Sequence, residues 1–105
     1  MSQFTLYENN DKSSNKTYSY FVDVHNHLMS ELNSRLVMPL PPTAKVKDIV
    51  AKKLCPVIHV DGSDFILVTN QMTTLPKSIL KSEVTSLENY RYQIIDAIDM
   101  FITGI

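Results

Sequence analysis

The chain has 105 residues, 44% of them apolar and 20% charged, with a formal net charge of -1 and an isoelectric point near 6.3. That length fits one domain, residues 1–105, with one core, and the slight acidity argues against a surface built to displace counterions from nucleic acid. A single cysteine, Cys55, excludes an internal disulfide; with no signal-peptide pattern at the start and no apolar run near the ~20 residues of a membrane span, a soluble cytoplasmic protein is expected.

Phe4-Thr5-Leu6-Tyr7 alternates and is rich in β-formers, so it predicts a first strand. Residues 8–17 hold no aliphatic or aromatic side chain and predict a solvated loop. Strand character returns over residues 18–26, where Tyr18, Tyr20, Val22 and Val24 share one face and Phe21 and Asp23 the other. A mixed connection leads to Arg35-Leu36-Val37-Met38, a strand expected to stop at Pro39-Leu40-Pro41-Pro42 because proline cannot donate to a ladder. Residues 43–54 are ambiguous: Val46, Ile49, Val50 and Leu54 have helical spacing, with lysines on the other side. The clearest local signal is a hairpin, Val57-Ile58-His59-Val60 and Phe65-Ile66-Leu67-Val68 around Asp61-Gly62. Leu75-Pro76 closes a short segment, and Ile79-Leu80 is read as a last short strand.

The end of the chain is different. Thr85 and Glu88 have capping-box spacing. Leu87, Tyr90, Ile94, Ala97, Ile98 and Phe101 then recur every three or four residues, which predicts a helix over residues 86–102, stopped at Gly104. The expected fold class is mainly β, α+β: antiparallel strands first and one amphipathic C-terminal helix last.

Chemistry is sparse. His25 and His27 project from one strand face and His59 could join them around zinc, but no further ligand has telling spacing, so ordinary strand-end histidines are preferred. Cys55 lies between Leu54 and Pro56, apolar flanks that favour an inert thiol. Two glycines cannot build a phosphate-binding loop, and no serine sits in a nucleophile elbow. The lysines over residues 45–53 are read as a solvated face. Two features stand out. Leu28-Met29 is an apolar pair in a polar connection, either tucked into the core or held out for a partner. Ile95 and Ile102 lie off the helix's main stripe, extra apolar surface that fits a dimer or a partner. For Gly104-Ile105, a helix cap and an apolar residue packing back is the favoured reading from the residues alone.

Taken in order, Phe21-Val22-Asp23-Val24, Arg35-Leu36-Val37-Met38-Pro39-Leu40, Leu54-Cys55-Pro56-Val57-Ile58-His59, Asp96-Ala97-Ile98 and Gly104-Ile105 resemble the CcdB family of toxins. The resemblance implies an SH3-like, partly open antiparallel barrel with a C-terminal helix, working as a homodimer. It implies a toxin of a toxin–antitoxin system that binds the A subunit of DNA gyrase and traps the enzyme on cleaved DNA. A CcdA-like antitoxin with a disordered C-terminal tail would neutralise it. No catalytic residue, cofactor or metal is implied, and no direct contact with nucleic acid or membrane. The gyrase-contact positions fall on Leu28, Met29, Asp99, Ile102, Thr103, Gly104 and Ile105. The best-known relative has tryptophan where this chain has Thr103 and asparagine where it has Asp99. The alternative on the same fold is a MazF-like endoribonuclease toxin, which would need an acid–base surface such as His25, His27 and Arg35.

Overall fold

A computed structural model describes residues 3–26, 32–42 and 55–104. The ambiguous stretch 43–54 with its helical spacing, together with His27, Leu28, Met29 and Ile105, lies outside the described residues. Among the described residues are seven strands and a C-terminal helix, an α+β arrangement that is mostly β. Strands β1 (Thr5–Glu8), β2 (Tyr20–Asp23), β3 (Ser34–Leu40), β6 (Thr73–Pro76) and β7 (Glu83–Ser86) form an antiparallel sheet in the order β6-β3-β2-β1-β7. Strands β4 (Val57–Val60) and β5 (Ser63–Ile66) form a separate hairpin. The five-stranded sheet does not close: β6 and β7 are its edges.

Alternation along the strands gives both sheet faces an apolar task. Leu6, Val22, Val24, Met38 and Leu40 face the main core with Ile58, Val60, Phe65, Leu87 and Ile94. Tyr7 and Val37 face the other way, under Leu80, with Phe21 and Leu75 packed beside them. The register places Leu6 opposite Val22 and Val22 opposite Met38, so a one-residue slip would exchange the two faces.

Strand β3 runs through Pro39 rather than stopping before it. The amide of Val24 donates to Leu36 O, 2.9 Å, and alternation by two residues leaves Phe21 and Pro39 a pair that exchanges no hydrogen bond. The missing N–H of Pro39 therefore points away from β2, and β6 has already ended its pairing at Val37–Thr73. Pro39 O still accepts from the Val68 amide at 3.1 Å.

The hairpin forms at Asp61-Gly62 as expected, with Val60 opposite Ser63. Both turn residues have positive φ, 50° and 79°, the geometry of a type I′ turn that twists with its strands. A two-residue loop pulls β5 forward to Ser63–Ile66 from the expected start at Phe65. The hairpin is held to the end of β3 by an Ile66 amide to Pro41 O bond of 3.0 Å, and to β2 by the Tyr20 ring edge-on to Phe65, centroids 5.0 Å apart.

Three further expectations change. Ile79-Leu80 is not a strand: residues Lys77–Ile79 make a 3-10 turn, because the β3–β6 ladder ends at Pro76. The last strand is instead Glu83–Ser86, every residue of it exposed. Thr85 is held in β7 opposite Leu6, so no capping box forms. Ser86 Oγ accepts the Glu88 amide at 3.2 Å, a 3-10 turn follows over Glu88–Tyr90, and helix α1 runs Arg91–Thr103. The loop over residues 8–17 is largely exposed, as expected, and is anchored by Asn9, which is buried with its Nδ2 donating to Ser14 Oγ, 3.0 Å, and Tyr18 O, 2.8 Å. Among the described residues no helix is long and apolar enough to cross a membrane.

Candidate functional site

Helix α1 buries Ile94 and Ala97 against the sheet. Ile95, expected off the packed stripe, is half-buried against the main core with Ile98. Ile102 remains outside, 69% exposed, with Phe101 at 45% and Tyr92 at 78%. Asp99, Ile102 and Thr103 are spaced three and four apart and stand on one exposed side of the last turns.

Gly104 closes the helix at φ 73°, its amide donating to Met100 O at 2.9 Å, the left-handed cap expected of glycine. Thr103 Oγ1 donates to Asp99 O, 2.7 Å. The last turn carries no basic side chain, while Asp99 places negative charge near the negative end of the helix dipole. That arrangement costs local stability.

Of the residues named from sequence, the structure gathers Asp99, Ile102, Thr103 and Gly104 at one exposed helix end. Tyr92 was not among them. It lies seven residues before Asp99, on the same side of the helix, and its signal was an aromatic placed opposite the Leu87–Ile94 stripe.

The second site feature lies on the other side of the sheet. Asp23 and Arg35 are fully buried and paired. Arg35 Nε donates to Asp23 Oδ2 at 2.8 Å, and Nη2 donates to Asp23 Oδ1 at 3.1 Å and to His25 O at 2.9 Å. The His25 amide donates to Asp23 Oδ1, 2.9 Å, and the Leu36 amide donates to His25 Nδ1, 3.2 Å. Arg35 is therefore removed from any RNA-facing surface. His59 is on the hairpin, its Nδ1 in contact with Asp64. Among the described residues no three His, Cys, Asp or Glu side chains group as a metal site. The outer sheet face carries a shallow groove lined by Tyr18, Phe21, Pro39, Gln71 and Leu75, among others, with no carboxylate, imidazole, amine or thiol in its lining.

Tyr7 abuts this region. Burial pushes its hydroxyl pKa up, and the carboxylates of Glu83 and Asp23 push it further, with Arg35 pulling the other way. The folded value is raised above the unfolded one, so the folded state holds the proton longer. Stability is then full below about pH 10 and falls as pH rises through the folded value. Tyr7→Phe is expected to flatten part of that alkaline loss in urea melts taken from about pH 8 to 11.

A family model described as CcdB protein matches residues 3–104 of the chain.

Proposed function

The chain belongs to the CcdB family, toxins of toxin–antitoxin systems, and from that premise we propose that it binds the A subunit of DNA gyrase and holds the enzyme on cleaved DNA. The proposed contact residues are Asp99, Ile102, Thr103 and Gly104 at the exposed end of α1, together with Ile105, Leu28 and Met29, which the family resemblance adds. The observation that carries this reading is Ile102, 69% exposed beside an uncompensated Asp99 at the helix end. An apolar side chain kept in water and an acid kept at the wrong end of a dipole break two local rules, and such breaks concentrate at functional sites.

The protein acts by binding and carries no catalytic residue or cofactor in this reading. Arg35, the one basic residue an RNA-cutting alternative would recruit from β3, is fully buried against Asp23. A CcdA-like antitoxin with a disordered tail is the expected neutralising partner; such a tail folds as it binds. The toxin works as a homodimer in the cytoplasm. Support for self-association comes from Phe101, 45% exposed on α1, and twofold dimers are the commonest closed assembly. Sedimentation equilibrium at micromolar protein is expected to give about twice the 12.0 kDa chain mass; a monomer at that concentration would remove the dimer from the account. The function itself is tested by passing the protein over an immobilised gyrase A fragment. Retention that competes with soluble fragment is expected, and passage without retention would overturn the reading.

A further inference from the structure

Helix α1 meets the core along one side, where Ile94 and Ala97 are buried. Its other side faces water. At 3.6 residues per turn, seven residues make nearly two turns and eleven make nearly three, so Tyr92, Asp99 and Thr103 fall on one line down the helix, with Asp96 beside it. All four are exposed. The line ends in the last turn, next to Ile102, and begins at Tyr92. Among the described residues Tyr92 is the most exposed large hydrophobic side chain, ahead of Ile102. It is also a weaker helix former than the alanine, glutamate or lysine usual on a wet helix face, so neither packing nor propensity accounts for it.

The size of an interface supplies the reason. A stable contact takes about 800 Å² and about 20–30 residues from each partner. The last turns of α1 offer four described residues, Asp99, Ile102, Thr103 and Gly104, so a partner seated there covers much more than that end. A patch of the required area is about 30 Å across, whereas Tyr92 stands about 16 Å along the axis from Thr103. A tyrosine hides about 150 Å² or more when covered, close to a fifth of what each side needs. Its ring is rigid, with two torsions to fix, and tyrosine is among the residues that dominate interface energetics. Thr103 stands where the best-known relative has tryptophan, so the last turn of this chain carries no aromatic anchor of its own.

We propose that Tyr92 is a gyrase A contact and the aromatic anchor of this chain's interface, covered by the partner when the last turn of α1 docks. This rests on the reading of that last turn as the gyrase contact. The surface it fits has an apolar recess about 16 Å from the point that meets Thr103.

The test is Tyr92→Ala, read by affinity for the gyrase A fragment, and the parent complex, read by hydroxyl-radical footprinting of the Tyr92 ring. Alanine favours the helix and the site is exposed, so circular dichroism is expected to match the parent and the melting temperature to move by no more than about 4 °C. Affinity is expected to fall about thirtyfold or more, and oxidation of Tyr92 to fall about fivefold or more when the fragment is bound to the parent. A folded Tyr92→Ala that binds as the parent does overturns the anchor, and so does a Tyr92 ring oxidised in the complex as fast as in the free protein. The proposed function survives that result if deletion of residues 103–105 still abolishes binding. A parent that binds no gyrase A overturns the proposed function and the anchor together.

Discussion

Deleting residues 103–105 is expected to leave a folded protein that no longer holds gyrase A. The internal duties of Thr103 and Gly104, the described ones, are small. Thr103 contributes one hydroxyl bond to Asp99 O and Gly104 one amide bond to Met100 O, and both residues are exposed. Their loss lets the helix fray by a turn and costs about 0.5–1 kcal/mol of stability. As contact surface their loss is far larger: removal of the central groups of an interface typically costs about 2 kcal/mol or more, roughly thirtyfold in affinity. Circular dichroism and a titration with the gyrase A fragment separate the two. Thr103→Trp is expected to move affinity the other way, because an aromatic anchor adds buried area at small entropic cost. A truncation that binds as the parent does would return Gly104 and its neighbours to the role of a helix cap.

The largest effect on stability is expected at Arg35. Arg35→Ala leaves the Asp23 carboxylate fully buried without its counter-ion, with the His25 amide still donating to it. Breaking a buried pair from one side costs about 3–5 kcal/mol, more than the pair itself contributes, because the remaining charge has lost its water and its counter-ion. Much of the stability of a small domain is of that order, so urea melts of Arg35→Ala should show a transition near zero denaturant. Asp23→Ala strands the guanidinium in the same way. Asp23→Leu/Arg35→Met, which removes both charges, is expected to cost little by contrast: one-sided removal is severe and two-sided apolar replacement is not. A fully stable Arg35→Ala would mean that Asp23 reaches water or another partner easily, and the buried-pair account would fall.

The parts of the fold legible in the sequence are those where local chemistry and packing agree. Asp61-Gly62 announces its turn because few residues accept positive φ at both positions, and the alternation of Val22, Val24, Met38 and Leu40 announces the core face. Gly104 announces the helix end. Strand β7 was hidden because Glu83-Val84-Thr85-Ser86 is an exposed edge strand, held by β1 rather than by any apolar pattern of its own. Its pairing also displaced the expected capping box, since Thr85 cannot both extend beside Leu6 and cap a helix. Pro39 misled because proline is excluded only where its amide is needed, and here it is not. The same split holds for the site. Ile102 stood out in the sequence as apolar surface off the helix stripe, whereas Ile95 looked equivalent and is packed. The Asp23–Arg35 pair was not legible, because opposite charges on neighbouring strands become a buried pair only when the register sets them diagonally on a covered face, as Asp23 opposite Val37 does here.

The central claim, that this chain acts by holding gyrase on broken DNA, is tested most directly by incubating purified gyrase and supercoiled plasmid with the protein and then adding detergent and protease. Linear DNA is expected to accumulate with the protein and to vanish when residues 103–105 are deleted; a folded parent protein that leaves the plasmid unbroken at saturating concentration would contradict the account.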